Sequence, residues 1–204
     1  QNTIMIDGHG QLFEPDRRGN LTAFESGDGW AMATMELAPA YPPDVRIDRF
    51  TRTLVFLKPR TVLILDRLTT RDGDKKYIRR YEWLLHTDPA ETEWTAGGDS
   101  LAARGRKDGR TRLAGRIFPT RRWLFETQSM NRPDGTPTSR ALSLTLAGEV
   151  PVQVEIAALL HAPKPGAQTA WLADAQCLRD GGATLMIIPA ADEEPSRAVL
   201  FASA

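Results

Sequence analysis

The chain has 204 residues, 41% of them hydrophobic, enough for one well-buried core without disulfide or metal staples. Acidic and basic residues balance at a formal net charge of zero, and no basic run exceeds the pairs Arg79-Arg80 and Arg121-Arg122, which excludes the electrostatic footprint of a nucleic-acid binder. No apolar run approaches the roughly 18 residues needed to span a bilayer, so no membrane insertion is expected, and the single cysteine, Cys177, excludes a disulfide framework.

The 26 basic residues include lysine at only five positions, leaving 21 arginines. Two readings of this bias stay open: the codon usage of a GC-rich gene, or planar forks for the carboxylates of an anionic ligand.

In chain order, Asn2-Thr3-Ile4-Met5-Ile6 opens on strand-like residues and runs into Asp7-Gly8. Leu21 to Leu37 gives two strand candidates around Gly27-Asp28-Gly29, an Asp-Gly turn signal. Trp30, Met32 and Met35 read as core filler, since large apolar residues are usually inside. Pro39, Pro42 and Pro43 end any regular ladder. Tyr41, in that loop, either stacks on a ligand or uses its hydroxyl to tie the loop down.

Ile47 to Leu68 is the centre of the pattern. Two apolar cores, Leu54 to Leu57 and Val62 to Leu65, flank Lys58-Pro59-Arg60-Thr61, in which Pro59 suits the second position of a four-residue turn. Each core is short, branched and apolar at consecutive positions, as expected of a hairpin whose strands are covered on both faces.

Arg71-Asp72-Gly73-Asp74 is a further turn, and Lys76 to His86 a long strand with Tyr77, Arg79, Tyr81, Trp83 and Leu85 on one face and His86 at the rim. Ser100 to Phe118 predicts a hairpin with Lys107-Asp108-Gly109-Arg110 at its tip. The arginines near it, Arg104, Arg106, Arg110 and Arg112, are either a solvated end or an anion site. Strands are predicted over Arg121 to Glu126, Ala141 to Leu146, Val152 to Leu160, Ala175 to Arg179, Ala183 to Ile188 and Arg197 to Ala202, with an exposed loop over Asn131 to Ser139. No segment has the caps and 3.6-residue stripe of a long helix. The expectation is an all-β fold, an antiparallel multi-sheet β-sandwich built from hairpins, as one domain over residues 1–204.

The nucleophile elbow, the His-Glu-x-x-His helix, the phosphate loop and the dinucleotide fingerprint have no counterpart in the sequence. His9, His86 and His161 are far apart, and joining them in one site requires three strand ends to converge.

Several segments together resemble one family. Asn2-Thr3-Ile4, Ile6-Asp7-Gly8 and Gly10-Gln11, then Ala40-Tyr41, Arg52 leading into Leu54 to Pro59, Val62 to Asp66, and Trp83-Leu84-Leu85-His86 are similar, in the same order, to motifs of the heparinase II/III-like polysaccharide lyases. The resemblance covers about the first 90 residues. It implies the C-terminal β-sandwich region of a longer lyase, lying beneath an N-terminal helical toroid that carries the catalytic groups. No catalytic residue and no cofactor is then expected in this chain.

The implied ligand is an acidic polysaccharide or oligosaccharide containing uronic acid, the implied partner the toroid of the same protein, and the expected location periplasmic or secreted. Where many relatives have a metal-ligating His, this chain has Gln1, a poor zinc ligand, so no metal is expected. The resemblance puts Asn2, Tyr41, Arg52 and His86 near one end as substrate-binding candidates, expected together on one exposed face. Arg52 can instead pair internally with Asp48 or Asp66, and Asn2 can cap a turn. A second reading is a freestanding carbohydrate-binding sandwich with a stacking platform drawn from Tyr41, Trp83, Trp94 and Trp123.

Overall fold

A computed structural model describes residues 2–71, 80–88, 92–120, 123–131, 137–146, 153–190 and 195–202. The strands are β1 (Ile4–Ile6), β2 (Asn20–Gly27), β3 (Trp30–Glu36), β4 (Ile47–Leu57), β5 (Thr61–Thr70), β6 (Tyr81–Thr87), β7 (Thr92–Gly97), β8 (Ser100–Gly105), β9 (Thr111–Pro119), β10 (Trp123–Asn131), β11 (Pro137–Leu146), β12 (Gln153–His161), β13 (Gln176–Asp180), β14 (Ala183–Ile188) and β15 (Arg197–Phe201). Among the described residues the only helical pieces are 3-10 turns at Ala38–Ala40, Pro43–Val45 and Ala170–Asp174. The fold is all-β, as the hairpin pattern predicts.

The central hairpin explains the layering. β4 and β5 pair antiparallel with Leu57 opposite Thr61, closed by a loop in which the Lys58–Pro59 bond is cis. They occupy the middle of an eight-stranded sheet, β2-β3-β4-β5-β12-β9-β8-β7. One face of this sheet meets the four-stranded sheet β1-β6-β11-β10, burying Phe50, Ile64, Leu68, Ile156 and Ala158 with Ile4, Ile6, Tyr81 and Trp83. The other face meets the three-stranded sheet β13-β14-β15, burying Val55, Leu63, Leu65, Ala157 and Leu159 with Met186, Ile188 and Phe201. Alternate residues of β5 and β12 enter opposite cores, which is why Val62 to Leu65 and Ile156 to Leu160 are apolar at consecutive positions. Trp30 and Met32 join one core and Met35 the other, so all three are filler as expected.

A polar clasp fastens the three-stranded sheet to the central one. The Glu155 carboxylate accepts hydrogen bonds from Arg67 Nε (3.0 Å), Arg179 Nε (2.6 Å) and Thr184 Oγ1 (2.8 Å). Burial pushes the Glu155 carboxyl up, but the donors from Arg179, Arg67 and Thr184 outweigh it, and the net direction is below the usual glutamate range.

Several boundaries differ from expectation. The Asp28-Gly29 turn, with Gly29 at φ 78°, joins β2 to β3 as predicted. Asn131 and Pro137 to Ser139, however, belong to the paired strands β10 and β11, because the hairpin ladder continues past the apolar residues. The expected strand and turn over residues 72–79 lie outside the described residues, and β6 is described from Tyr81. At the β8–β9 tip, Arg112 pairs with Asp108 at 2.9 Å, and Asp108 Oδ1 accepts the Arg110 N–H at 3.0 Å. Two of the four tip arginines thus serve the turn itself.

Candidate functional site

The candidate site is built on β1. This short strand pairs antiparallel with β6, Ile4 opposite Trp83 and Ile6 opposite Tyr81. Asp7 (φ 52°) and Gly8 (φ 81°) turn the chain, and Ile6 and His9 close the turn with two 2.9 Å backbone hydrogen bonds. Left-handed backbone at consecutive positions is what an Asp-Gly pair supplies at little cost. The segment before the strand, Asn2-Thr3, is held by three separate elements.

The first is β6. Asn2 Oδ1 accepts the backbone N–H of His86 at 2.7 Å. Since that donor must face an oxygen, the amide NH₂ end of exposed Asn2 is left turned away from β6, and it donates to nothing among the described residues.

The second is the loop after β3. Glu36 Oε1 accepts the N–H groups of Ala38 and Phe50, both at 3.0 Å, which folds the proline-rich segment back over β4 and turns Tyr41 inward. Tyr41 is 2% exposed. Its hydroxyl donates to the Ile4 carbonyl at 2.6 Å and therefore accepts from Thr3 Oγ1 at 2.8 Å. Burial outweighs the Thr3 hydrogen bond and the nearby Arg52 charge, and pushes the phenol up to about 12.

The third is the central hairpin. Arg52 and Asp66 are cross-strand partners in β4 and β5, both pointing into the core shared with the four-stranded sheet. Arg52 Nε and Nη2 donate to the two Asp66 oxygens, each at 2.6 Å, and Trp83 Nε1 adds a donor to Asp66 Oδ2 at 2.9 Å. Arg52 Nη1 donates to the Asn2 carbonyl. Burial alone would lower the Arg52 pKa, but the Asp66 charge overrides it and holds the guanidinium protonated.

The four sequence-nominated residues are thus brought together, but not onto one exposed face. Asn2 is exposed and His86 partly so at the end of β6, whereas Tyr41 and Arg52 are sealed beneath them. The expectation that Arg52 offers a bidentate grip is corrected: its fork is spent on Asp66, because a guanidinium taken into the core must find a carboxylate there. Tyr41 likewise ties the loop down and does not stack. Trp83, Trp94 and Trp123 are also buried, so the stacking platform of the second reading is not formed. Sequence reasoning missed Trp83 as a donor to Asp66 and Thr3 as the partner of Tyr41.

Among the described residues no three His, Cys, Asp or Glu side chains converge. His161 lies buried at the far end of β12, its Nδ1 2.9 Å from Thr61 Oγ1.

No family model matches the chain, and no curated protein matches it in sequence. Solved structures do. A crystal structure of heparinase III superposes with a TM-score of 0.67 at 9% identity, covering 99% of this chain and 29% of its own. A second heparinase III gives 0.66 at 11% identity, with the same two coverages. The heparan sulfate lyase HepC from Pedobacter heparinus gives 0.63 at 11% identity, covering 98% of this chain and 30% of its own. The chain shares a fold with one region of these lyases and spans under a third of their length.

Proposed function

We propose that residues 1–204 form the β-sandwich domain of a heparinase II/III-like lyase that cleaves uronic-acid-containing polysaccharide by β-elimination. The observation that carries this reading is the fold match over 99% of the chain to heparinase III. The anchored Asn2-Thr3-Ile4 segment leading into β1, one of the segments similar to the family's motifs, supports it.

In such a reaction a base removes the proton α to the uronate carboxylate, and hydrogen-bond donors stabilise the enolate-like anion. The electron pair then forms the ring double bond as the 4-O glycosidic bond breaks. The base and the group neutralising the carboxylate belong, on this reading, to the helical toroid of the same protein. The sandwich contributes the wall of the cleft: the Asn2 amide N–H groups reach sugar oxygens and the partly exposed His86 ring borders them, while Tyr41, Arg52 and Asp66 are positioning residues that fix the Asn2-Thr3 backbone.

The test is absorbance of unsaturated uronate during incubation with heparan sulfate, alginate and hyaluronan. The 204-residue chain alone is expected to be silent, and the protein joined to its toroid to turn over at least one of the three. Turnover by the chain alone, or by neither form on any uronate polymer, overturns the proposal.

A further inference from the structure

We propose that the three-stranded sheet β13-β14-β15 is a separately openable unit, released in acid at the Glu155 clasp while the eight-stranded and four-stranded sheets stay folded. This rests on how the sheet is attached and is independent of the lyase reading.

Strand pairing sets this sheet apart. β13, β14 and β15 follow one another in sequence and pair with no other strand among the described residues, whereas β12 is laddered to β5 on one side and to β9 on the other. Among the described residues, every hydrogen bond from 176–202 to the rest of the chain is made by the side chain of Arg67, Arg179, Thr184 or Arg197. The sheet's apolar attachment rests mainly on Met186, Ile188 and Phe201. The four-stranded sheet brings more to its own core, in Ile4, Ile6, Tyr81, Trp83, Leu85 and Trp123. A contiguous segment with little apolar attachment and no ladder to its neighbours is what opens first as a cooperative unit.

The clasp lies where two cross-strand rows meet. Glu155 stands opposite Arg67 in the β12–β5 ladder, and Arg179, Thr184 and Phe201 form one row across β13, β14 and β15. Glu155 takes Arg179 of the first strand and Thr184 of the second, while Arg67 Nη2 donates to the Phe201 carbonyl of the third at 3.4 Å and to the Gly182 carbonyl at 2.8 Å. All three strands are thus held at one end. At the other end the described contact is Arg197 Nη1 to the Gly29 carbonyl at 3.4 Å. Before the sheet, Arg116 Nη1 donates to the carbonyls of Ala173 and Ala175, the latter at 2.6 Å, and Leu172 is buried, so the chain is pinned up to Ala175 and opening begins at Gln176.

Glu155 is the carboxylate that Arg67 and Arg179 share. The titratable groups facing it among the described residues are Arg67 from β5 and Arg179 and the Cys177 thiol from β13, while β14 presents the neutral Thr184. On the β9 side stands neutral Thr120, whose Oγ1 donates to the Glu155 backbone carbonyl at 3.5 Å. Protonating Glu155 therefore leaves two guanidiniums across a neutral acid, at the point that holds every strand of the sheet. The clasp acts above pH 4.5 and is lost as pH falls through the lowered folded value. Short strands cut off from the core they pack on are not stable in water, so the released ladders open together.

Hydrogen exchange on the 204-residue chain, each amide rate divided by its unstructured rate at the same pH, tests the inference. Below pH 4.5 the amides of β14 should lose protection while those of β5 and β12 keep theirs. Thiol labelling of Cys177, the single cysteine, which packs beneath the sheet, should accelerate in step. Glu155→Gln should show β14 protection at least about tenfold lower at neutral pH, the worth of one charge-assisted hydrogen bond, and little further loss in acid. A purely structural defect would lower protection without flattening that pH profile. Equal protection of β14, β5 and β12 at every pH, or the same acid dependence in Glu155→Gln as in the parent chain, overturns the proposal. Should Glu155→Gln not fold, the parent chain's pH series decides alone, through whether β14 opens before β5 and β12.

Discussion

Arg52 and Asp66 stand opposite each other in the β4–β5 ladder and share two 2.6 Å hydrogen bonds, with side chains 10% and 1% exposed. A pair so far from water is costly to form and more costly to break on one side only, since the survivor keeps its desolvation without its partner. Asp66→Asn is therefore expected to destabilise the chain by roughly 3–5 kcal/mol, and the double replacement R52M/D66L to recover only part of that loss, because it leaves the buried Trp83 Nε1–H without its acceptor. Guanidinium denaturation of the two variants beside the parent chain measures it. A cost below about 1 kcal/mol for Asp66→Asn would mean that the pair is hydrated.

Tyr41 offers a spectroscopic check. Its folded pKa, about 12, lies above the ordinary 10.0. Folding therefore favours the neutral phenol, and its contribution is complete below pH 10.0 and is lost as pH rises through about 12. Absorbance titration of phenolate should show a late ionisation, near 12 or only on alkaline unfolding, whose amplitude Tyr41→Phe reduces. The same substitution orphans the buried Ile4 carbonyl and should cost about 1–3 kcal/mol.

The Glu155 clasp gives the opposite sign. Its folded pKa lies below the ordinary 4.5, so its stabilisation is present above pH 4.5 and is lost as pH falls through the lowered folded value. Thermal melts should show the parent chain losing stability below pH 4.5 more steeply than Glu155→Gln, which should be less stable at neutral pH and flatter in acid. Equal slopes for the two proteins would exclude Glu155 as a contributor to acid unfolding.

Local signals carried most of the architecture. Consecutive apolar residues in Leu54 to Leu57 and Val62 to Leu65 announced strands covered on both faces, and the Asp-Gly pairs at 28 and 108 fixed two hairpins. The Arg52–Asp66 pairing was within reach too, since placing Leu57 opposite Thr61 across the loop makes residues 52 and 66 partners. What could not be read was long-range: β12 lies between β5 and β9, and β6 between β1 and β11, pairings that no turn specifies. Tyr41 looked accessible because it follows Pro39 in an irregular loop. Its burial depends on Glu36 folding that loop over β4, a side-chain to backbone contact with no periodic signature.

Asn2 separates a contact residue from a structural cap. Its Oδ1 serves the His86 N–H, and its NH₂ is the part left over for a ligand. Asn2→Asp keeps the acceptor and deletes the donors, whereas Asn2→Ala deletes both. If Asn2 only caps the end of β1, Asn2→Asp should behave as the parent protein in activity and in stability. If the amide donates to a sugar oxygen, both variants of the proposed lyase, joined to its proposed toroid, should lose about tenfold in kcat/KM, the worth of one hydrogen bond of roughly 1.4 kcal/mol. Asn2→Asp should then fall furthest on the most highly charged polymer, because a new carboxylate would face the uronate. We expect the second pattern, with the melting temperature of Asn2→Asp unchanged. Full activity in Asn2→Asp on all three polysaccharides would return Asn2 to a purely structural role and leave His86 as the sandwich's remaining candidate contact.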